Sequence, residues 1–447
     1  MRALLPLSSL VVTTTAFAQD AAAASKIDTG DNAWMLASSA LVLMMTGPGL
    51  ALFYGGLVRG KNVLSTMMQS MFLMSFVSIL WFLYGYSASF GDGNAFVGSF
   101  TQFAFLSGVG GAPNPDYAPT IPHQTFMLYQ MMFAVITPAL ITGAFAERMK
   151  FSAFLLLVLG WVTIVYFPLA HMVWGKGGFF NWALGGKIPV LDFAGGTVVH
   201  ISSGTAALVC AIVLGPRRGF PREPMLPHNV VLSLIGTGLL WVGWFGFNAG
   251  SALNSGTLAT SAFAATHFAG AAGGLAWSAM EWLGRGKTSV LGAASGMVAG
   301  LATITPASGF VTVPSAVLIG ICGGIGCYFC VTKVKAKFGY DDSLDVFGVH
   351  CCGSVIGMLL LGFLASAEVN PAIGSTFKKG DQVVSLAGGS AQFLNQGIAV
   401  LFTAAFSILV TWLLLKIIGA TIGLRVEAEA EHSGLDVSEH GETAYNE

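Results

Sequence analysis

The sequence predicts an all-α membrane protein of eleven transmembrane helices, an inverted five-plus-five helix repeat plus one extra C-terminal helix. Of the 447 residues, 54% are hydrophobic and only 9% are charged, whereas charged residues make up about 25% of an ordinary soluble domain. Apolar segments long enough to cross a bilayer recur along the whole chain. Two of these segments begin with an aspartate that is followed by a histidine at the same spacing.

The apolar segments form two sets of five and a final one. An odd number of spans turns the second set upside down relative to the first. The string GPGL (47–50) in the first segment is echoed by GTGL (236–239) in the sixth. The first repeat covers about 33–214, the second about 229–366, and the extra helix about 391–420. The predicted helices lie at 33–57, 62–90, 123–146, 151–171, 194–214, 229–249, 257–283, 288–306, 313–332, 345–366 and 391–420.

The two chain ends lie outside this eleven-helix region of 19–420. Residues 1–18 have the pattern of a secretory signal peptide, with Arg2, a modestly apolar run and a small-residue cleavage site ending at Ala18. The alternative is an uncleaved first helix, although the run is short for a span. Lys and Arg are concentrated in the loops that lie inside if the mature N-terminus is outside. The polar tail, 421–447, has the composition of a disordered acidic end.

The two Asp-to-His spacings predict the functional centre. Asp192 precedes His200, and Asp342 precedes His350, each by eight residues, a rise of about 12 Å in a helix. If the aspartates cap helices that enter from opposite faces, the imidazoles meet near the middle of a core about 30 Å thick. Ionisable groups at that depth usually mark a path for a substrate, ion or proton. The alternative is that each histidine is a hydrogen-bonded core residue.

Four further residues have alternatives that the sequence leaves open. Trp174 offers an indole face that attracts small cations, or it belongs to an interfacial aromatic belt. Ser251 can accept a hydrogen bond above a closing ring of Phe247; alternatively, the serine ends a helix and the ring is packing. His267 has no partner in the other repeat, and we expect it to be a core or interface histidine.

Other classes of function fit less well. A net charge of -1 argues against nucleic acid as the main partner. Cys327 and Cys330 have CxxC spacing without a second pair, so neither a zinc site nor a redox centre is predicted. A membrane metalloenzyme would need more clustered ligands than two histidines with aspartates two helical turns away. We therefore expect no metal, no cofactor and no enzymatic activity.

Long, specific strings extend from the first predicted helix into the tail. They are PGLALFYGGLVRGKNVLS (48–65), GAFAERMKFSAF (143–154), AHMVWG (170–175), LDFAGGTVVH (191–200), GWFGFNAGS (243–251), DVFGVH (345–350) and GLDVSEHGETAY (434–445). On these strings the chain resembles the ammonium transporter family (Amt/Mep/Rh), and closely its bacterial AmtB-type members. The match covers essentially the whole mature chain.

The resemblance implies a homotrimer in a lipid bilayer, the bacterial inner (cytoplasmic) membrane, with one pore per subunit, the mature N-terminus outside and the C-terminus cytoplasmic. The tail resembles the segment that contacts a PII (GlnK-type) signalling protein. Ammonium and ammonia are the implied substrates. The implied substrate-binding residues are Trp174, Ser251, Tyr129, Phe247, Asp192, His200 and His350.

In the roles that the resemblance implies, Trp174 and Ser251 form an outer recruitment site with the Asp192 carboxylate close by. Phe247 is one of two stacked gate rings, and the second falls on Tyr129, where many members have Phe. Ammonium would lose its proton near this gate, because desolvation favours the neutral base. Net electrogenic uptake is favoured over passive ammonia conduction, and a sensor that acts mainly through PII binding is the alternative.

Overall fold

A computed structural model describes residues 26–445 as a bundle of long helices joined by mostly short loops. Within the described residues there are eleven long helices, and they match the predicted segments one to one. Two short helices, α12 and α13, follow them in the tail. The predicted signal peptide, 1–18, lies outside the described residues. The helices are α1 Thr29–Leu57, α2 Gly60–Phe90, α3 His123–Phe145, α4 Phe151–Trp174, α5 Gly196–Leu214, α6 Val230–Ala252, α7 Thr257–Arg285, α8 Val290–Ile304, α9 Val313–Phe338, α10 Phe347–Leu364, α11 Ser390–Thr421, α12 Ala428–Ser433 and α13 Leu435–His440.

The predicted fold class is confirmed. Nine of the long helices are apolar enough to cross a membrane by length and composition alone, and α8 is a shorter apolar helix. The remaining helix, α7, is 29 residues long but rich in Ala, Gly and Thr. Its small residues allow close packing: a Cβ on Gly273 would lie 2.6 Å from the Gly296 carbonyl oxygen of α8. Such contacts replace large apolar side chains as the basis of helix association in lipid.

The two histidine-bearing helices begin alike. Both α5 and α10 open with a π-helical segment, Gly196–Ile201 in the first repeat and Phe347–Cys351 in the second. In each repeat the aspartate that precedes the helix accepts hydrogen bonds from its first N–H groups, which remove unpaired donors from a buried helix end. The two repeats therefore present their histidines in equivalent positions from opposite directions, as the inverted repeat predicts.

Buried charges connect the loops at the end of the bundle that carries the tail. The Arg148 guanidinium is fully buried and donates to the carbonyl oxygens of Gly215 and Asp341 and to the Ser343 hydroxyl, at 2.9, 2.6 and 2.6 Å. Arg217 contacts both carboxylate oxygens of Asp341 at 2.8 and 2.9 Å. These bonds hold together the loops after α3, α5 and α9 and so fix the helix ends around the inner cavity described below.

Residues 421–445 of the tail form the end of α11, the two short helices and defined connections between them, although the composition of the tail is that of a disordered end. Glu431 of α12 contacts the Arg425 guanidinium through both oxygens at 2.7 to 2.9 Å. Asp436 of α13 accepts the Ser65 N–H of α2 at 2.8 Å. The acidic residues that suggested disorder are therefore the partners of a guanidinium within the tail and of a backbone N–H group on α2.

The outer loops are irregular connections. The 91–122 loop has one 3-10 turn at Ala104–Leu106. The 367–390 loop contains one helical turn at Ala372–Ser375 and a hairpin of β1 (Lys378–Lys379) and β2 (Gln382–Val383). These loops lie at the end of the bundle opposite the tail.

Candidate functional site

Two imidazole rings face each other near the centre of the bundle. The Nδ1 atoms of His200 and His350 lie 3.2 Å apart, with ring centroids 5.2 Å apart and planes 9° from parallel. The side chains are 2% and 4% exposed. The expected meeting of the two rings is therefore confirmed. Because one Nδ1 must carry the hydrogen and the other must accept it, two neutral imidazoles satisfy this contact.

The Asp192 carboxylate caps the first turn of the helix that carries His200. Asp192 accepts the N–H groups of Gly195, Gly196 and Thr197 at 2.7 to 2.8 Å, and also the Thr197 hydroxyl. Gly195 has a φ of 109°, a conformation that glycine adopts without strain. Burial raises the pKa of the Asp192 carboxyl group, and these hydrogen bonds oppose the rise. Asp192 is thus the helix cap that the sequence predicted.

A narrow cavity contains the histidine pair. Only about 10 Å³ is open to the centre of a water-sized molecule, and its polar lining consists of the two imidazoles, so it holds roughly one such molecule. Trp244 stacks on His200 with centroids 5.6 Å apart, and its indole N–H donates to the Thr305 hydroxyl at 2.8 Å. The His200 Nε2 atom has no hydrogen-bond partner among the described residues. The other lining residues are Met45, Leu50, Phe53, Ile136, Leu140, Val199, Leu240, Phe247 and Val298.

Two stacked phenyl rings close the outer end of this cavity. Phe133 of α3 and Phe247 of α6 have centroids 4.2 Å apart and planes 24° from parallel, and both are 1% exposed. The expectation that Tyr129 supplies the second ring of this pair is wrong. Tyr129 lies one helical turn before Phe133, and its phenol takes part in hydrogen bonds behind the rings. The sequence contained a signal for Phe133, because it is an aromatic residue four positions after Tyr129 and therefore lies on the same helix face.

The Tyr129 hydroxyl contacts α6. It lies 2.7 Å from the Phe247 carbonyl oxygen, 2.9 Å from that of Gly246 and 3.2 Å from the Ser251 hydroxyl. Ser251 also donates to the Phe247 carbonyl at 2.9 Å. Tyr129 is 1% exposed, so the phenol fixes the end of α6 that carries Phe247 and Ser251.

An outer cavity of about 270 Å³ lies above the ring pair and is lined by Phe133, Trp174 and Ser251. Trp174 meets the Phe133 ring edge-on, with centroids 5.9 Å apart. Its indole N–H donates to the Asp192 carbonyl oxygen at 3.0 Å. Within residues 26–445, the Asp192 side chain is not part of the cavity lining. The structure brings the predicted outer residues together but turns the Asp192 carboxylate toward its helix.

The end of α4 that carries Trp174 is anchored by a residue that sequence reasoning did not single out. The two ring nitrogens of His171 lie 3.1 and 2.8 Å from the carbonyl oxygens of Ser89 and Asn94, and the side chain is fully buried. The sequence signal for His171 was its position about one helical turn before Trp174. His171 therefore positions the indole from behind.

An inner cavity of about 280 Å³ begins at His350 and ends among charged residues of the tail-side loops. Lys335 donates to the carboxylate of Asp345 and to the carbonyl oxygen of Asp342, both at 2.6 Å. Asp342 accepts the Phe347 N–H at 2.8 Å. Outer cavity, ring pair, histidine cavity and inner cavity thus follow one another through the bundle.

The remaining candidates lie away from this path. His267 of α7 is exposed and packs 5.5 Å from the Trp241 ring and 6.1 Å from that of Phe245. The described residues contain no group of three or more potential metal ligands. All six cysteines are free thiols. The structure gives the histidine pair no metal-binding neighbour among the residues it describes.

Comparisons with known proteins agree with the geometry. Residues 33–445 match the model of the Ammonium Transporter Family. An ammonium transporter of Bacillus subtilis (strain 168) is 47% identical over 418 residues, which is 94% of this chain and 99% of the relative. The crystal structure of Saccharomyces cerevisiae Mep2 superposes with a TM-score of 0.81 at 35% identity, covering 90% of this chain and 88% of that chain. A structure described as a sensor Amt protein has a TM-score of 0.81 at 26% identity and covers 92% and 98% of the two chains.

Proposed function

The chain belongs to the ammonium transporter family, and from this premise we propose that it takes up ammonium by releasing a proton near the outer ring pair and conducting ammonia past His200 and His350. Ammonium transport across a membrane is the activity that this family membership supports. The observation that carries the finer proposal is the 3.2 Å Nδ1 contact between two imidazoles inside a narrow apolar cavity.

Ammonium binds in the outer cavity in this proposal. Trp174 and Phe133 present aromatic surfaces there, and a cation over such a surface gains roughly 0.5 to 2 kcal/mol. The Ser251 hydroxyl can accept one ammonium N–H. Tyr129 and Asp192 act indirectly, because the phenol holds the end of α6 and the Asp192 carbonyl oxygen holds the indole.

Loss of the proton follows from the cost of moving a charge past the rings. Phe133 and Phe247 stack at 4.2 Å, and the space below them has no polar lining except imidazole. An ion without its water pays several kcal/mol or more to enter such space, whereas ammonium can give up its proton and enter as ammonia. Potassium has no proton to lose and is excluded by the same cost.

The imidazole pair suits a neutral base. When both rings are neutral, one Nδ1–H donates to the other Nδ1, so one Nε2 is an acceptor and the other Nε2 carries a hydrogen. Ammonia has three donors and one lone pair and can use both atoms in turn. The Nε2 atom of His200 has no partner among the described residues, and the His200 ring lies 6.1 Å from the Phe247 ring, centroid to centroid.

We propose that the released proton crosses separately and that uptake is electrogenic. The hydrogen-bonded pair supports this, since a proton taken up on one imidazole can leave from the other. The test is current measurement on purified protein in liposomes after addition of ammonium or potassium. We expect a current after addition of ammonium and no current after addition of potassium. The His200→Ala, His350→Ala double variant should give no current with either ion.

The control is His228→Ala, which removes a histidine from the loop before α6, away from the pair. This variant should keep the full current. Ammonia flux without any ammonium-dependent current in the unaltered protein would reject electrogenic transport in favour of passive conduction. A current that survives in the double variant would reject the role of the pair.

We propose a homotrimer in a bacterial inner membrane, with the tail in the cytoplasm. An exposed aromatic face on α6 and α7 supports contact with a neighbouring subunit: Phe245 and Phe263 stack at 3.9 Å beside His267, and lipid tails offer the ring nitrogens no partner. Native mass spectrometry of the detergent-solubilised protein should give three times the subunit mass. The variant Lys333→Cys tests the orientation of the protein in the membrane. The measurement is the accessibility of the new thiol to a membrane-impermeant reagent.

The alternative function is an ammonium sensor that works mainly through binding of a PII (GlnK-type) protein to the tail. The ordered α12 and α13 beside the inner cavity and the likeness to a sensor Amt protein favour this candidate. Deletion of 427–447 discriminates between the two functions. Unimpaired uptake with lost PII recruitment assigns the tail to regulation, and ammonium-dependent PII recruitment by a chain that carries no ammonium would support the sensor.

A further inference from the structure

The outer cavity contains a carboxylate that the transport mechanism above does not use. Among the described residues that line the cavity, Asp116 is the only charged one. It lies in the 91–122 loop, and its side chain is 44% exposed. The Asp192 carboxylate, which we expected close to this cavity, caps α5 instead and is not part of the described lining. The negative charge that entering cations meet in the cavity therefore belongs to Asp116.

A lysine ammonium group occupies this carboxylate. The Nζ atom of Lys176 lies 2.7 Å from the Oδ2 atom of Asp116. Lys176 follows Trp174 by two residues but is not among the described residues that line the cavity. The hydrogen bond to Asp116 raises the pKa of Lys176, so the lysine is a cation throughout the physiological range of pH. Because a lysine ammonium group and a free ammonium ion have the same charge and the same kind of N–H donor, both can bind the same carboxylate oxygens.

The two loops that carry this ion pair are also joined by bonds that do not involve its charges. The Lys176 backbone N–H donates to the Tyr117 hydroxyl at 3.1 Å, and that hydroxyl donates to the Phe90 carbonyl oxygen at 2.9 Å. The Tyr117 ring stacks on the Phe126 ring with centroids 5.1 Å apart. An exposed ion pair adds little to stability. Replacement of either charged side chain should therefore leave the rim of the cavity in place.

We propose that the Asp116 carboxylate is an entry site that binds ammonium before it reaches Trp174, and that Lys176 competes with ammonium for this carboxylate. A negative charge in a cavity with low-dielectric walls raises the local concentration of cations. Lys176 neutralises part of that charge from outside the lining, so removal of the lysine should strengthen ammonium binding. The inference rests on the proposed entry of ammonium through the outer cavity, but it does not depend on the imidazole pair or on electrogenic uptake.

The first test is the initial rate of uptake of isotopically labelled ammonium by liposomes at low ionic strength. Lys176→Gln should lower the apparent KM about threefold, the size expected for one unit charge several Å from the bound ion, and should leave the maximal rate unchanged. Asp116→Asn should raise the apparent KM by a similar factor. Lys176→Arg keeps a competing cation and should keep the KM of the unaltered protein. These differences should shrink at high salt, because salt screens exposed charges.

Two neighbouring side chains provide matched controls. Lys187 is an exposed lysine of the same α4–α5 loop, and it forms no salt bridge among the described residues. Asp92 lies near Lys176, but it accepts the Gln102 amide and is outside the described cavity lining. Lys187→Gln and Asp92→Asn should change the KM much less than the variants of the ion pair do. When Asp116 is replaced by Asn, Lys176→Gln should have no larger effect than Lys187→Gln.

Three outcomes would overturn the proposal. An equal fall in KM for Lys187→Gln and Lys176→Gln would make the effect one of general surface charge. A full effect of Lys176→Gln in the Asp116→Asn background would show that the lysine does not act through this carboxylate. An unchanged KM in Asp116→Asn would exclude the carboxylate as an entry site.

A binding measurement separates this inference from the transport proposal. Ammonium chloride should raise the unfolding temperature of the full-length protein more than sodium chloride does at equal ionic strength, because a ligand that binds the folded state stabilises it. Lys176→Gln should need less ammonium for the same rise, and Asp116→Asn should need more. Failure of uptake in the unaltered protein would reject transport but not this ranking, whereas equal ammonium dependence in all three proteins would reject the role of Asp116.

Discussion

The two aspartates that precede the histidine helices have the same sequence spacing but different surroundings. The Asp192 carboxylate accepts three backbone N–H groups and a hydroxyl, so both of its oxygens are in use. Asp342 accepts the Phe347 N–H on one oxygen, and its other oxygen, Oδ1, has no partner among the described residues. Burial raises the pKa of Asp342 to about 6, although Lys335 opposes the rise.

This difference separates a structural cap from a titratable one. Asp192 holds the turn that places His200 and, through its carbonyl oxygen, the Trp174 indole. Asp342 holds its helix more weakly, and its protonation changes within the physiological range of pH. The two histidine helices therefore begin with matched backbone geometry but with different chemistry at the carboxylates that precede them.

The largest expected effect comes from removal of the outer cap. Asp192→Ala leaves three buried N–H groups unpaired, and each such group costs about 1 to 3 kcal/mol. We expect the free energy of unfolding to fall by about 3 kcal/mol or more, and we expect uptake to be lost. Uptake in liposomes, normalised to folded protein from gel filtration, together with thermal unfolding, measures both effects.

The matched variants are Asp342→Ala, which unpairs fewer donors, and Asp192→Asn, which keeps an acceptor. Both should retain more stability and more uptake than Asp192→Ala. If Asp342→Ala is as damaging as Asp192→Ala, the contrast between the two caps is wrong. If Asp192→Asn is inactive but as stable as the unaltered protein, the charge of Asp192 is needed in addition to its hydrogen bonds.

The second effect is the contribution that Asp342 makes to the pH dependence of stability. Its pKa of about 6 in the folded protein lies above the ordinary value of 3.8, so the folded state binds the proton more tightly than the unfolded state. The contribution of Asp342 to the free energy of unfolding should therefore fall as pH rises from about 4 to about 6, by roughly 3 kcal/mol in total. Asp342→Asn should remove this dependence and be the more stable protein at pH 7.

Asp341 is the control for this pH dependence. Burial by itself would raise the pKa of Asp341, but hydrogen bonds and the charge of Arg217 lower it overall, so it stays ionised between pH 4.5 and 7.5. Asp341→Asn should be less stable throughout and keep the slope of the unaltered protein. Thermal unfolding in detergent from about pH 4 to pH 7 measures the difference in stability between the unaltered protein and Asp342→Asn. A difference that does not change with pH would contradict the assignment.

The third effect concerns the ring pair at the outer end. Among the described residues, the aromatic side chains that line the inner cavity include no stacked pair. Phe133→Ala removes the ring that stacks on Phe247 and meets Trp174, so water gains access to the histidine cavity. We expect the selectivity for ammonium over potassium to fall about tenfold, a barrier change of about 1.4 kcal/mol. Paired fluxes in liposomes measure this, and unchanged selectivity would show that Phe247 alone closes the path.

The sequence predicted the parts of the molecule that depend on pattern. Apolar length located the eleven long helices, including the Ala-rich α7, and the Asp-to-His spacing located the two caps and the meeting of His200 with His350. Side-chain direction was not in the pattern. Tyr129 and Phe133 lie on one helix face, and only the backbone of α6 decides that the phenol bonds to its carbonyl oxygens while the phenyl ring stacks on Phe247.

The order of the tail was missed for a related reason. Composition reports the solubility of 421–447 but not its partners, and Glu431 and Asp436 accept the backbone N–H groups of Arg218 and Ser65, which are far away in sequence. The difference between Asp192 and Asp342 was equally invisible, because it depends on how many N–H groups reach each carboxylate. Spacing specifies where a cap lies, and packing specifies how completely it is satisfied.

The smallest expected effect tests whether the Tyr129 phenol belongs to the pore or to its frame. Tyr129→Phe keeps the ring and removes the hydrogen bonds to α6, so the Ser251 hydroxyl and the Phe247 carbonyl keep only each other. A hydrogen bond of this kind contributes about 1 kcal/mol. We expect a small decrease in the unfolding temperature, uptake within about fivefold of the unaltered protein, and unchanged selectivity.

Ser251→Ala is the matched variant, because it removes the proposed acceptor for ammonium and leaves the phenol in place. It should weaken apparent ammonium affinity more than Tyr129→Phe does. If Tyr129→Phe instead loses more affinity than Ser251→Ala, or loses selectivity, the phenol contacts the substrate directly. The outer end would then contain a polar substrate-binding group in addition to the stacked phenyl rings.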